Sequence, residues 1–285
     1  MGKTISIIIP TVGRQSELSG CLRAIQESCR TDLHEVIIVD DASDPPVRVV
    51  AETLSHFTVE VIRNRSRQGA ARSRNLGAKA ASGDILAFLD DDARVSKNWF
   101  GVVRKELTES RVAITGPVLG IDQSLVARAR QERYNSRYAG RADGEKVDFL
   151  AGGNCAIWRA DFQSLGGFPA VDTMSDRLLA ARLFAQERSC HFVWALAIGH
   201  RNSKGAVNAL LQAFKAGMVN ARLPATTAVA RDNRTSGRTI PIAVALVNGV
   251  LKLAFTSGTL WQQFRAKRRT EDVATVCIDL EQTAK

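Results

Sequence analysis

Over its first hundred residues the chain alternates short apolar runs with longer amphipathic stretches. Ile5-Ser6-Ile7-Ile8-Ile9 is a β-branched run stopped by Pro10, which predicts a buried strand. Residues 15–29 carry Leu18, Leu22 and Ile25 at helical spacing. Val36–Val39 predicts a second buried strand, ending in Asp40-Asp41. Residues 47–56 are predicted helical, and Val59–Ile62 a short third strand. Residues 69–81, rich in alanine with Leu76 and Ala80 one turn apart, predict a helix ended by Ser82-Gly83. Ile85–Leu89 is a fourth strand, followed by Asp90-Asp91-Asp92. Strands alternating with helices in this way predict an α/β fold, a mostly parallel sheet with helices on both faces. Such sheets bind ligands beyond the carboxyl ends of their strands. Here those ends read Pro10-Thr11, Asp40-Asp41 and Asp90-Asp91-Asp92, and acids repeated along one sheet edge are hard to explain by packing.

The pattern from 112 to 200 is less regular. Val112–Thr115 and Val147–Leu150 predict strands, Gly152-Gly153-Asn154 and Gly166-Gly167 turns, and residues 174–187 a helix. Phe192–Ile198 is the expected last strand of the core, with His200 just past it. After Arg201 the character changes: residues 204–223 read as a helix, 224–239 as a polar loop, and Ile240–Phe255 as a strongly apolar helix with Pro241 in its first turn. Asn248, Lys252 and Thr256 lie four apart and form one polar stripe on it. The expected division is an α/β domain over 1–203 and a helical region over 204–285.

Composition narrows the picture. The 285 residues are 45% hydrophobic and 24% charged, which excludes a disordered chain, a collagen or a small disulfide scaffold. The five cysteines (Cys21, Cys29, Cys155, Cys190, Cys277) are odd in number and include no Cys-x-x-Cys pair, which fits a reducing compartment. Met1-Gly2-Lys3-Thr4 runs straight into the first strand, so no secretory leader is expected. The net charge of +10 is concentrated late: residues 201–270 hold twelve Lys/Arg and a single acid, Asp232. Such a segment suits an anionic surface, lipid headgroups or nucleic acid, although a solvated helical face has the same composition. Few aromatics accompany it, so nucleic acid is not expected as a partner. As a helix, Ile240–Phe255 reaches about 24 Å, short of a hydrocarbon core of about 30 Å. With Arg231, Arg234 and Arg238 before it and Arg265, Lys267, Arg268 and Arg269 after, it suits an anionic interface better than a crossing. The alternative is a helix buried against the α/β domain.

The triple aspartate is the strongest chemical signal. Adjacent carboxylates repel, so the array calls for a cation or for donors. Hard Mg²⁺ or Mn²⁺ takes oxygen ligands and commonly combines one or two carboxylates with substrate phosphates. An acidic turn capping the next helix, through Ser96 or Asp92, is the competing explanation. Asp40-Asp41 fits either a receiver-type phosphorylation site or recognition of a nucleotide base or ribose. The first of these needs an acidic pair near the first strand, which ends here in Pro-Thr.

Taken in order, Ile7–Thr11, Val39-Asp40-Asp41-Ala42-Ser43, Gly69–Gly77 (Gly-Ala-Ala-Arg-Ser-Arg-Asn-Leu-Gly) and Phe88-Leu89-Asp90-Asp91-Asp92 resemble the successive signatures of inverting glycosyltransferases of family 2. Gly152–Arg159 followed by Leu165-Gly166-Gly167-Phe168 resembles the family's segment before the acceptor site. Asp176, with Arg182-Leu183 after it, falls where the family has a Glu-Asp pair. The resemblance covers about residues 5–200. It implies a GT-A type fold and a nucleotide-diphospho-sugar donor, with Pro10, Thr11 and Asp41 at the base and Arg74, or its rival Arg72, at the pyrophosphate. It also implies an Asp90-x-Asp92 pair with Asp92 on the metal, Asp91 toward the ribose and His200 completing the metal site. Gly153 and Asn154 fall on the acceptor side, and Asp176 is the implied general base. One departure stands out: the family's Glu is Ser175 here. The implied partners are the donor and a glycan or lipid-linked acceptor. The interfacial reading of Ile240–Phe255 and its basic flanks gives the expected place, the cytoplasm, peripheral at the inner face of the membrane.

Two other classes compete. A sugar-nucleotidyltransferase would want a loop rich in glycine, arginine and lysine after the first strand, where Pro10–Arg14 has one Gly and one Arg. A basic membrane- or nucleic-acid-binding adaptor would have no use for the acids at the strand ends.

Overall fold

The computed structural model describes residues 3–29, 33–49, 57–201, 205–221 and 241–283, with side chains through residue 266. The helix expected over 47–56 lies mostly outside these residues, and 47–49 are not helical. The loop at 224–239, with its three arginines, and the side chains of Lys267–Arg269 also lie outside them. The chain divides into two compact units, the first Met1–Ser203 with Asn233–Arg238 and the second Lys204–Asp232 with Thr239–Lys285.

The first unit is built on a mixed sheet. Strands β1 (Ile5–Thr11), β2 (Leu33–Asp40), β3 (Thr58–Arg63) and β4 (Ile85–Leu89) are parallel in the order β3-β2-β1-β4. Side chains alternate between the faces of a strand. Ile5, Ile7 and Ile9 therefore enter one core with Leu18, Cys21 and Ile25 of helix α1 (Gln15–Ser28), while Ile8 enters another with Ala71 and Ala78 of α2 (Ala70–Ala80). Burial on both faces explains why β1, β2 and β4 read as apolar runs, while the edge strand β3 is largely exposed. Gly77 lets α2 lie close on the sheet, since a Cβ there would stand 2.6 Å from Ile8 Cγ2.

The sheet continues through β6 (Ala113–Thr115), β8 (Lys146–Val147), β9 (Asn154–Trp158) and β10 (Cys190–Phe192) in the order β4-β9-β6-β10-β8. Strand β9 runs antiparallel to both β4 and β6. A small second sheet joins β5 (Ala93–Val95), β11 (Ile198–His200) and β7 (Val118–Gly120). Several expectations are corrected. Asn154 opens a strand rather than closing a turn, and the strand expected over 147–150 shrinks to Lys146–Val147. The expected strand Phe192–Ile198 is two strands in two sheets, because Val193 and Leu196 fill the core without joining a ladder. His200 ends β11 rather than following the last strand. Helices α3 (Trp99–Glu106), α4 (Leu125–Tyr138) and α5 (Arg159–Ser164) were not anticipated, whereas α6 (Ser175–Ala185) was.

The second unit contains α7 (Ala206–Asn220) and α8 (Ile242–Thr283). They meet through glycines: a Cβ on Gly217 would collide with the Phe255 carbonyl oxygen, and one on Gly258 with that of Phe214. Thr259 Oγ1 donates to the Gly217 carbonyl at 3.1 Å. The apolar part of α8 is longer than Ile240–Phe255. Within Ile242–Ala266 an 18-residue window has mean hydropathy 1.5, long and apolar enough to cross a membrane by length and composition. At 1.5 Å per residue that window reaches about 27 Å, so the expected shortfall against a hydrocarbon core of about 30 Å narrows.

Candidate active site

The carboxyl edge of the parallel strands gathers the acids. Thr11 ends β1 and donates through Oγ1 to Asp91 Oδ2 at 2.8 Å. Arg14, at the start of α1, donates from Nη1 to Asp91 Oδ1 at 2.6 Å and from Nη2 to Asp92 Oδ2 at 2.8 Å. Asp91 and Asp92 are 4% and 1% exposed. Burial pushes the Asp91 carboxyl up to about 6, outweighing the opposing pull of Arg14 and Thr11, while Asp90 and Asp92 push it the same way as burial. Arg14 is a site residue that the motif reading left in the background. It carries no periodic signal, only its place just after the first strand.

The ladder between β5 and β11 pairs Ala93 with His200 and so delivers the imidazole beside the acids. His200 Nε2 lies 3.1 Å from Asp92 Oδ1 and 3.7 Å from Asp90 Oδ2. One ligand atom from each of Asp90, Asp92 and His200 falls within 4.8 Å of the others. Asp92 Oδ1 is buried and accepts no hydrogen bond. Two carboxylates and an imidazole converging on such an oxygen fit a divalent cation such as Mn²⁺ or Mg²⁺.

Asp41 lies deeper than a simple base-binding role requires, at 6% exposure. It accepts from Asn64 Nδ2 at 2.7 Å and from the backbone N–H of Gln68 and Gly69 at 2.8 and 2.9 Å. Burial alone would raise its pKa, but these donors outweigh burial and hold it below the ordinary range. The Ser73 hydroxyl acts on this carboxylate too, so its acceptor positions, about four in a carboxylate, are largely taken. Gly69, at φ +86°, turns its N–H toward Asp41 and starts α2. Asp40 holds Arg63 and the Ser43 N–H, and is likewise structural. Pro10 is half-buried in β1, paired with Val39. Of the rival arginines, Arg72 is exposed, whereas Arg74 is buried, donates to Asp90 Oδ1 at 2.6 Å and covers the Phe168 ring at 5.6 Å.

The Gly152-Gly153 step lies against two carboxylates. A Cβ on Gly153 would collide with the Asp90 carboxylate, and one on Gly152 would meet Asp176 Cβ at 3.3 Å. Asp176, in the first turn of α6, accepts from Arg177 N–H at 2.9 Å and from Gly152 N–H at 3.4 Å. Ser175, in place of the family's Glu, is buried. Asn154 is corrected from an acceptor-side residue to a structural one. It is 0% exposed, takes a hydrogen bond from Trp99 Nε1 at 3.1 Å, and donates to the carbonyls of Leu196 and Pro117 at 2.7 and 3.2 Å. Every polar atom of its amide is thus committed to joining β9 to α3 and to the loops before β7 and β11.

The sequence model of glycosyl transferase family 2 matches residues 6–166, more than half of the chain. An uncharacterized glycosyltransferase of Haemophilus influenzae is 48% identical over 88 residues, 31% of this chain and 29% of that protein. The chain spans about a third or less of the length of the curated relatives it matches. In fold it is similar to a mannosyltransferase from Pyrobaculum calidifontis in complex with GDP-Man and Mn²⁺, with TM-score 0.60, 16% identity and coverage of 98% of this chain and 81% of that one. It is also similar to S. aureus TarS in complex with UDP-GlcNAc, with TM-score 0.56, 15% identity and coverage of 78% and 68%.

Proposed function

The chain belongs to glycosyl transferase family 2, and from that membership we propose that it transfers a sugar from a nucleotide-diphospho-sugar to an acceptor hydroxyl with inversion. One observation carries the proposal: Asp90, Asp92 and His200 converge beside Gly153, while Asp176 stands against Gly152, one residue along the same backbone. The structural neighbours with GDP-Man or UDP-GlcNAc bound support the donor class.

Asp92 and His200, with Asp90 beside them, would hold Mg²⁺ or Mn²⁺, which when bound offsets charge developing on a departing diphosphate. Pro10, Thr11 and Asp41 line the base side of the donor, with Asp91 toward the ribose. Arg74 supplies positive charge for the diphosphate. Asp176 takes the proton of the acceptor hydroxyl as general base. The bond from the acceptor oxygen to the anomeric carbon forms as the bond from that carbon to the diphosphate oxygen breaks, and the electron pair leaves with the nucleoside diphosphate. Attack from the face opposite the leaving group inverts that carbon.

The test is a thermal-shift screen of UDP, GDP and dTDP, each with Mn²⁺ and in EDTA. The expected result is that one nucleotide stabilises the protein with Mn²⁺ but not in EDTA. Asp92→Asn should remove that shift while circular dichroism stays unchanged. Equal shifts with and without the cation would rule out the metal assignment.

We propose further that residues 204–285 bind an anionic membrane surface. The enzyme would then work at the cytoplasmic face of the cell membrane, on a glycan or lipid-linked acceptor in envelope or polysaccharide synthesis. Support comes from Ile242, Leu246, Val250, Leu253, Leu260 and Phe264, all exposed on α8, and from the basic run Arg265–Arg269 that follows them.

A further inference from the structure

Among the described residues, four arginines on α4 and α6 form no ion pair with a carboxylate. Arg130, Arg133 and Arg137 recur at helical spacing on α4 and share a face. Between them, Tyr134 packs into the core, and the Arg137 guanidinium lies 5.6 Å from its ring centroid. Tyr134 sits close enough to Asp90 and Asp176 for both charges to act on its hydroxyl, so this face of α4 borders the site. Arg177 follows Asp176 directly on α6.

Among the described residues, none of these four guanidiniums comes within ion-pair distance of a carboxylate. Arg14, Arg63, Arg74, Arg111 and Arg141 all do. Arg130 Nη1 is buried and has no hydrogen-bond partner. Desolvation lowers Arg177 to about 10, with Arg137 and Arg133 pushing the same way against Asp176 and Asp148. Arg133 is lowered too, first by desolvation and then by Arg137 and Arg130, although solvent still reaches its side chain. Gathering like charges in partly dehydrated surroundings is costly unless an anion compensates them. Arginine forks match phosphate oxygens in pairs.

We propose that the acceptor is phosphate-bearing, and that Arg130, Arg133, Arg137 and Arg177 hold its phosphate so that a neighbouring hydroxyl meets Asp176. This rests on Asp176 as the base side of the reaction. The donor diphosphate has its own cations, the metal and Arg74, beside Asp90. The acceptor phosphate therefore has a separate seat. It belongs either to a lipid phosphate or to a water-soluble phosphorylated glycan or polyol.

The experiment titrates inorganic pyrophosphate calorimetrically into the full chain in EDTA, where the donor side, with three carboxylates against Arg14 and Arg74, disfavours the probe. Wild type should bind, and R133Q/R137Q at least tenfold more weakly. The nucleotide that stabilises wild type with Mn²⁺ should bind the double variant within twofold of wild type. Competition by dihexanoyl phosphatidate and by glycerol 1-phosphate then separates the sources. A tenfold advantage for the former indicates a lipid phosphate, and equal competition indicates a soluble one. Equal pyrophosphate binding by wild type and variant would overturn the proposal. So would a matching loss of nucleotide binding, which would assign the arginines to the donor. A wild type that binds no nucleotide with Mn²⁺ would instead defeat the glycosyltransfer proposal.

Discussion

Replacing Arg14 by glutamine isolates how the acidic cluster is held together before any cation binds. Arg14 makes the 2.6 and 2.8 Å bonds to Asp91 and Asp92. Removing one partner of a fully buried ion pair costs about 3–5 kcal/mol, but the Arg14 side chain is 30% exposed, so water offsets part of this. Asp91 also has an escape. With its pKa near about 6, taking up a proton at pH 7 costs about 1.4 kcal/mol in wild type, and less once Arg14 is gone. Asp92 loses one charge-assisted bond, about 1.5–3 kcal/mol, and keeps His200 beside it. The expected loss is about 2 kcal/mol at pH 7 in EDTA. It should shrink at pH 5, because a carboxyl whose folded value is raised gains stability as pH falls through that value, and protonated Asp91 no longer needs the guanidinium. It should also shrink below about 1 kcal/mol in saturating Mn²⁺, which supplies the missing charge and is linked to the folded state. Urea unfolding of wild type and Arg14→Gln, in EDTA and in Mn²⁺ at both pH values, measures all three. A deficit unchanged by Mn²⁺ would mean that Arg14 acts by packing and that the acids do not bind the cation.

Asp176→Asn should lower kcat about a hundredfold or more, with metal-dependent nucleotide binding unchanged; near-normal turnover in a steady-state assay would return Asp176 to a structural role at the start of α6. Asp41→Asn should cost about 2 kcal/mol at neutral pH by weakening three charge-assisted bonds. Because the folded pKa of Asp41 is depressed, that stability is present above the ordinary carboxylate value and lost as pH falls through the folded one. The gap to wild type in urea unfolding should therefore close in acid. In co-sedimentation, the full chain should bind vesicles containing anionic lipid and release them as salt rises; no binding at low salt would leave the apolar surface of α8 to a protein partner.

Where burial repeats simply along the chain, the sequence displays it. Strands β1, β2 and β4 are apolar on both faces, so their centres and the acids near their ends could be read directly, although β1 runs past Pro10 to Thr11 and β2 begins earlier, at Leu33. Strand β9 was hidden because Cys155-Ala156-Ile157 follows two glycines and carries no period of its own; its place between β4 and β6 is set by partners distant in sequence. Helix α4 was missed because its arginines interrupt the apolar positions. Asn154 shows the limit for polar residues. A buried amide and a ligand-binding amide are the same letter, and only the Trp99, Leu196 and Pro117 contacts tell them apart. Arg74 was separable from Arg72 only once α2 turned one side chain inward and the other outward.

The glycine contacts between α7 and α8 bear on what happens when the surroundings change. Most helix pairs in water are driven together by the release of water from apolar side chains, a force that vanishes in hydrocarbon. Here Ala209, Ala213, Val244 and Leu251 are buried, but Gly217 and Gly258 also bring main chain against main chain, and Thr259 adds a hydrogen bond from one helix to the other. Attraction of that kind depends on close fit and is indifferent to the medium. If residues 204–285 meet a membrane as proposed, this contact would hold in the oily environment as in water, and a single bulky substitution at Gly217 or Gly258 would pry it open in either.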